Sequence, residues 1–204
     1  MKQLILASQS PRRSEILKKA GYQFVPFLVH VSEIPDKNLN QNEQILDIAG
    51  RKAEAVLQAL HDKSLVYDNA VILTADTMVC LGPKVLGKPE SREEAFTFLR
   101  ALSGIKHQVK TAICLIDLKS LDKTTHIETT DVYFRQLTDD EILNYIATGE
   151  PLDKAGAYAI QGLGSAFVVK YDGEFNNVVG LPLQALENIF NMKSWNFLKT
   201  PAGI

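Results

Sequence analysis

Ala70 to Leu81 is an almost continuous apolar run rich in β-branched side chains, and it constrains the fold more than any other stretch. A strand of that composition must be covered on both faces, which puts it at the centre of a sheet flanked by helices. Asp76 interrupts the run. A carboxylate there has to be paired, metal-bound or at the strand's exposed end, because uncompensated burial is costly. A structural Asp satisfied by backbone donors is the plain alternative. Thr77 beside it and the basic Gly87-Lys88-Pro89 close behind favour a functional site.

The rest of the chain supplies the covering layers. Leu4 to Ala7 reads as a buried strand, followed by a helix from Pro11 to Gly21, with Ser10 placed to cap it and Pro11 at the first helical position. Phe24 to Val31 reads as a strand and Ser32 to Gln41 as a polar loop or lid. Ile45, Leu46, Ile48, Ala49, Ala53, Val56, Leu57 and Leu60 recur at helical spacing, with Lys52 on the less apolar face or at its edge. Ser91 with Glu94, and Thr138 with Glu141, form capping boxes for helices through Leu102 and to about Gly149. Val109–Leu118 and Ile127–Phe134 read as a pair of strands, Ala157–Ile160 and Ala166–Tyr171 as two more, and Pro182–Met192 as the last helix. The expected fold is α/β, a mixed central β-sheet flanked by helices. The 204 residues suffice for one domain or two closely joined lobes.

Charge and cysteine usage narrow the function classes. A formal net charge of −2 argues against a general nucleic-acid or anionic-membrane binder, so any anion site must be local. Cys80 and Cys114 lie in apolar runs as reduced core thiols, which suggests a reducing, cytoplasmic setting. The apolar start is too short for a signal peptide, and no later run is long enough to span a bilayer. His30, His61, His107 and His126 lack the spacing of a zinc site.

The candidate for a local anion site is Ala7-Ser8-Gln9-Ser10-Pro11-Arg12-Arg13. A helix N-terminus bearing free N–H groups, two hydroxyls and two guanidinium groups can hold phosphate, although a capped helix with surface arginines would look the same. Gly82 to Pro89 mimics a P-loop, but Pro89 stands where the Mg²⁺-ligating hydroxyl belongs and Pro83 removes a backbone N–H, so an ordinary P-loop is rejected. Lys88 can still act as a point charge on phosphate. Glu150, Asp153 and Lys154 fit a solvated turn with local ion pairs, and Gln161 can satisfy backbone groups beside Gly162. Acidic residues near phosphate suit Mg²⁺ or Mn²⁺, with Glu33 and Asp76 as candidates.

Together these segments resemble the Maf family of nucleoside triphosphate pyrophosphatases from Leu4 to about Leu183. The matching blocks are Ala7 to Arg13, Ala75-Asp76-Thr77, Gly87-Lys88-Pro89, Ser103-Gly104 with His107, Gly149 to Gly162, and Asn177 to Pro182. The resemblance implies an ITPase-like fold of two lobes around a cleft, a single catalytic domain over 1–192 with a tail over 193–204, and a possible homodimer. It also implies hydrolysis of the bond between the α- and β-phosphates with a divalent cation. By position, Asp76 is the proton acceptor for water, Glu33 assists the metal or water, and Ser8, Arg12, Arg13, Lys52 and Lys88 hold phosphate. Arg13, Thr77 and Gln161 are similar to the subgroup taking dTTP and UTP; 7-methyl-GTP or CTP cleavage, or a non-catalytic nucleotide-binding role in cell division, are the alternatives.

Overall fold

The alternation of apolar strands with amphipathic helices yields seven strands among the described residues: β1 (Gln3–Leu6), β2 (Phe24–Pro26), β3 (Ala70–Leu81), β4 (Lys84–Leu86), β5 (Lys106–Asp117), β6 (Lys123–Phe134) and β7 (Val168–Asp172). The helices are α1 (Pro11–Lys19), α2 (Gln41–Asp62), α3 (Arg92–Leu102), α4 (Asp139–Ala147), α5 (Phe175–Val179) and α6 (Leu183–Met192). The structure is a computed structural model and describes residues 1–63 and 67–200. The strand order is β2-β1-β3-β5-β6-β7, with β4 also on β3, so the apolar run is a central strand as its composition requires. β1 runs parallel to both β2 and β3, with Leu4, Ile5 and Leu6 opposite Val71, Ile72 and Leu73. β4 on β3 and β7 on β6 are antiparallel, which makes the sheet mixed.

Helix starts follow the capping chemistry with two departures. Thr138 and Glu141 form a reciprocal box at α4, and Asn40 with Glu43 does the same at α2. At α3 only half of the expected box exists: Ser91 accepts the Glu94 N–H at 3.1 Å, while the Glu94 carboxylate takes the Glu90 N–H instead. At α1 Ser10 occupies the cap position, but its hydroxyl makes no capping bond; its own N–H donates to Ser8 Oγ at 3.1 Å.

Strand boundaries also differ from expectation: β5 and β6 begin at Lys106 and Lys123, ahead of the expected Val109 and Ile127. β2 stops at Pro26, which has no N–H to extend the ladder, rather than running to Val31. The stretch 157–160 is not a strand, because Gly156 (φ +68°) and Ala157 (φ +60°) are left-handed and close a 3₁₀ turn over Ala155–Ala157. A further 3₁₀ turn, Leu163–Phe167, delays β7 to Val168. β4 was not expected from the sequence. It arises because Gly82 (φ +56°) and Pro83 close a two-residue hairpin with Leu81 opposite Lys84.

The chain divides into two compact units. The first comprises Met1–Asp76, Thr111–Glu128 and the chain from Gly180 on. Its core is built from Leu4, Ile5, Leu6, Ile45, Ile48, Ile72 and Leu73. Trp195 and Phe197, in a stretch to which the sequence assigned no role, are buried here, with Phe197 bridged to Lys2 and its ring 4.4 Å from that of Phe190. The second unit comprises Thr77–Lys110 and Thr129–Val179. There α3 and α4 bury Phe98, Leu99, Leu102, Ile142 and Ile146 together with Val109, Val132 and Phe134. Among the described residues no helix is long and apolar enough to cross a membrane.

Candidate active site

In the first unit, the register of β3 on α2 decides where Asp76 goes. Thr74 is fully buried, and its hydroxyl donates to the Ala49 carbonyl at 2.7 Å. Two residues on, Asp76 shares the strand face of Thr74; three residues on from Ala49, Lys52 lies one helical turn along α2. Lys52 Nζ therefore reaches Asp76 Oδ1 at 2.8 Å. The same ammonium contacts Glu33 Oε1 at 2.6 Å. The Lys52 and Asp76 side chains are each only 13% exposed, so this is a solvent-shielded, charge-assisted contact and not an ordinary surface pair. Asp76 meets the requirement that a carboxylate in an apolar strand be paired.

The junction of β1 and α1 lies at the carboxyl end of a parallel strand, where open α/β sheets place their ligands. Arg13 is not a surface arginine. It is buried, donates from Nε to Gly180 O at 2.7 Å and from Nη1 to Ala75 O at 2.9 Å, and also reaches Ser8 Oγ at 3.2 Å. Burial pulls its pKa down, and the charges of Asp76 and Glu33 oppose that pull, while Arg12 adds to it. Half-buried Arg12 and Ser8, buried Arg13, and the Glu33–Lys52–Asp76 cluster thus all belong to the first unit.

Thr77, Lys88 and Gln161 belong to the second unit. Lys88 and Gln161 are exposed. The turn carrying Lys88 is tied to the loop carrying Gln161, because Gly156 N–H donates to Gly87 O at 3.0 Å. Gly156 has to be glycine there: φ is +68°, and a Cβ would lie 2.8 Å from Val79 Cγ1.

Glu150 is not the solvated turn residue that its sequence context suggests. Its carboxylate accepts the Leu163 N–H at 3.0 Å, the Gly164 N–H at 3.2 Å and the Tyr145 hydroxyl at 2.8 Å. Burial pushes this carboxyl up, but those donors and the Lys154 charge outweigh it and hold it below the usual range. Lys154 pairs with Asp153, which is the local ion pair the sequence allows. His107 is buried in the same unit, with Nε2 2.7 Å from Tyr158 Oη and Nδ1 without a hydrogen-bond partner among the described residues. Burial pushes its pKa down to about 4 against the opposing charge of Asp131, so the ring is neutral near pH 7.

Cys80 and Cys114 are free, buried thiols, and burial pushes both up, Cys114 to about 11, away from nucleophilic chemistry. Among the described residues there is no group of three or more His, Cys, Asp or Glu side chains able to hold a metal. The metal-capable pair is Glu33 with Asp76, both on Lys52. Sequence reasoning missed Arg51, which contacts the backbone on both sides of Glu33. The Asp47–Arg51 spacing of four residues was legible as a helical ion pair, but the carbonyl acceptors were not.

The family model for the Maf-like protein matches residues 3–192. The chain belongs to the Maf family. Among its Maf relatives, a dTTP/UTP pyrophosphatase of Bdellovibrio bacteriovorus is 53% identical over 92% of this chain and 97% of its own length. Proteins of the same name from Caldicellulosiruptor saccharolyticus and Pelotomaculum thermopropionicum are each 43% identical, the first covering 98% of both chains and the second 97% of this chain and 100% of its own. The alignments run through nearly the whole Maf chain, and so through both units.

Proposed function

We propose that the chain is a nucleoside triphosphate pyrophosphatase that hydrolyses dTTP and UTP to the nucleoside monophosphate and pyrophosphate. The observation that carries this reading is the Glu33–Lys52–Asp76 cluster at 2.6 and 2.8 Å, in a chain whose full-length relatives bear the name dTTP/UTP pyrophosphatase. Asp76 accepts the proton of a water whose oxygen bonds to phosphorus as the α–β phosphoanhydride bond breaks and pyrophosphate leaves. Ser8, Arg12, Arg13, Lys52 and Lys88 hold phosphate oxygens, the N–H groups opening α1 assist, and the carbonyl bonds of Arg13 fix it in place. Glu33 orients Lys52 and assists the attack.

Glu33 and Asp76 would also hold a divalent cation, Mg²⁺ or Mn²⁺. Two carboxylates already converge on one positive centre, the Lys52 ammonium, and such a pair suits a hard ion that fills its shell with water and phosphate oxygens. When bound, the ion would supply charge neutralisation on the phosphate. Gln161, with Thr77 and Arg13, sets the pyrimidine preference; its amide offers a donor and an acceptor to the O4 and N3–H of uracil or thymine. Residues 1–192 act as one catalytic domain on free nucleotides in the cytoplasm.

Pyrophosphate release from dTTP, UTP, CTP, 7-methyl-GTP and the purine triphosphates, with Mg²⁺ or Mn²⁺, tests this directly. Fast release confined to dTTP and UTP is expected. Preference for another base would overturn the roles of Arg13, Thr77 and Gln161, and no release from any nucleotide would overturn the activity.

A further inference from the structure

Glu33 lies in a stretch, residues 27–36, that forms neither strand nor helix, so no ladder fixes the position of its backbone. Helix α2 grips that stretch with two successive residues. Arg51 Nη1 donates to the Ser32 carbonyl, Arg51 Nη2 donates to the Ile34 carbonyl at 3.2 Å, and Lys52 Nζ contacts the Glu33 carboxylate between them at 2.6 Å. The guanidinium is itself oriented, because Arg51 Nε donates to Asp47 Oδ2 at 2.8 Å one helical turn earlier. Three sides of one planar cation are thereby engaged, two on the carbonyls flanking Glu33 and one on Asp47.

We propose that Arg51 is a positioning residue that holds the Glu33 carboxylate on Lys52 by fastening the carbonyls on either side of it, with Asp47 setting the guanidinium plane. This rests on the reading of Glu33, Lys52 and Asp76 as the hydrolytic centre. A planar fork can hold two carbonyls two residues apart, whereas a lysine at the same position, with its donors on one nitrogen, cannot. Each of the three guanidinium nitrogens of Arg51 gives one donor to a protein oxygen, which suits a role exercised through Glu33 rather than on the substrate. An exposed carboxylate on irregular backbone would otherwise sample many positions, and misplacement by about 1 Å can cost as much as about 100-fold in rate.

The test is a double-mutant cycle on the full chain with dTTP and Mg²⁺, using Arg51→Ala, Glu33→Gln and the double variant, with Arg51→Lys as a charge-preserving control. Arg51→Ala and Arg51→Lys are each expected to lower kcat about tenfold in the wild-type background. In the Glu33→Gln background the same changes should lower it less than about twofold, since the carboxylate they position is already gone. Equal losses in both backgrounds would mean that Arg51 contributes independently of Glu33 and would overturn the proposal. So would wild-type kcat in Arg51→Lys. Absence of turnover in the unmodified protein would instead overturn the hydrolytic reading, and the proposal with it. If Arg51→Ala proves insoluble, the Arg51→Lys arm decides alone.

Discussion

In the first unit, Lys52, Asp76 and Glu33 form ion pairs at 2.6 to 2.8 Å, and buried Arg13 is bound to two carbonyls and a hydroxyl. In the second, neutral His107 is bonded to the Tyr158 hydroxyl and packed edge-on against Phe134, with ring centroids 4.9 Å apart, while Tyr145 donates to Glu150. Both arrangements keep polar groups in apolar surroundings. The first gathers ions between the middle of β3 and one turn of α2, the arrangement proposed to act on a phosphate; the second uses hydrogen bonds to fix a loop that carries Gln161. The difference predicts that substitutions in the first unit act on turnover and those in the second act on stability and substrate affinity.

The largest effect is expected at Asp76. Asp76→Asn preserves shape but removes the proposed proton acceptor, so kcat should fall about 10³-fold. Its Tm should move by only a few degrees, because a 1 kcal/mol change shifts a domain of this size by about 2–4 °C. Steady-state kinetics and a thermal melt on one preparation check both. Unchanged kcat with a collapsed Tm would reverse the comparison, making this unit's charges structural.

His107 gives the complementary effect on stability. Its folded pKa, about 4, lies below the ordinary 6.5, so between those values the unfolded chain binds a proton that the native ring refuses. Stability must therefore fall as pH drops from about 6.5 to 4, by about 3 kcal/mol over the whole window. Denaturant unfolding of wild type and His107→Gln at several pH values isolates the ring, since the other titrating groups cancel in the difference. The wild type's unfolding free energy, relative to the variant's, should decline toward pH 4. A constant difference would show that the ring is accessible to protons.

How much of this was legible in sequence depends on the range of the interaction. The central position of β3 follows from twelve residues of local composition, and the box at Thr138–Glu141 from a spacing of three residues, whereas the same spacing at Asn40–Glu43 was overlooked. Asp76 could be singled out because a carboxylate in an apolar strand is a local contradiction, but its partner could not, because Lys52 is 24 residues away and meets it only through the register of β3 on α2. Glu150 was misread for a similar reason: besides the Tyr145 hydroxyl, its donors are backbone groups 13 and 14 residues ahead, which carry no residue-type signal. The stretch 157–160 was misread because the left-handed turn at Gly156 and Ala157 overrides the strand propensity of its side chains.

The smallest effect is expected at the Glu150 clamp, and it tests what the second unit's bonds are for. Glu150→Gln replaces one carboxylate oxygen with an amide nitrogen, so at least one of the three donors now facing the side chain loses its acceptor, a cost of about 1–2 kcal/mol. Gly162→Ala attacks the same contact from the other side, because a Cβ there would lie 2.3 Å from Glu150 Oε1. If the clamp fixes the base-reading loop, both variants should raise KM for dTTP about five- to tenfold and leave kcat within about twofold, since loss of that positioning weakens binding in the ground and transition states alike. A shift in the dTTP-to-CTP ratio of kcat/KM should accompany it. If KM and that ratio stay at wild-type values while Tm falls, the clamp serves the fold alone, and the base-choosing role proposed for Gln161 and Thr77 would have to stand without it.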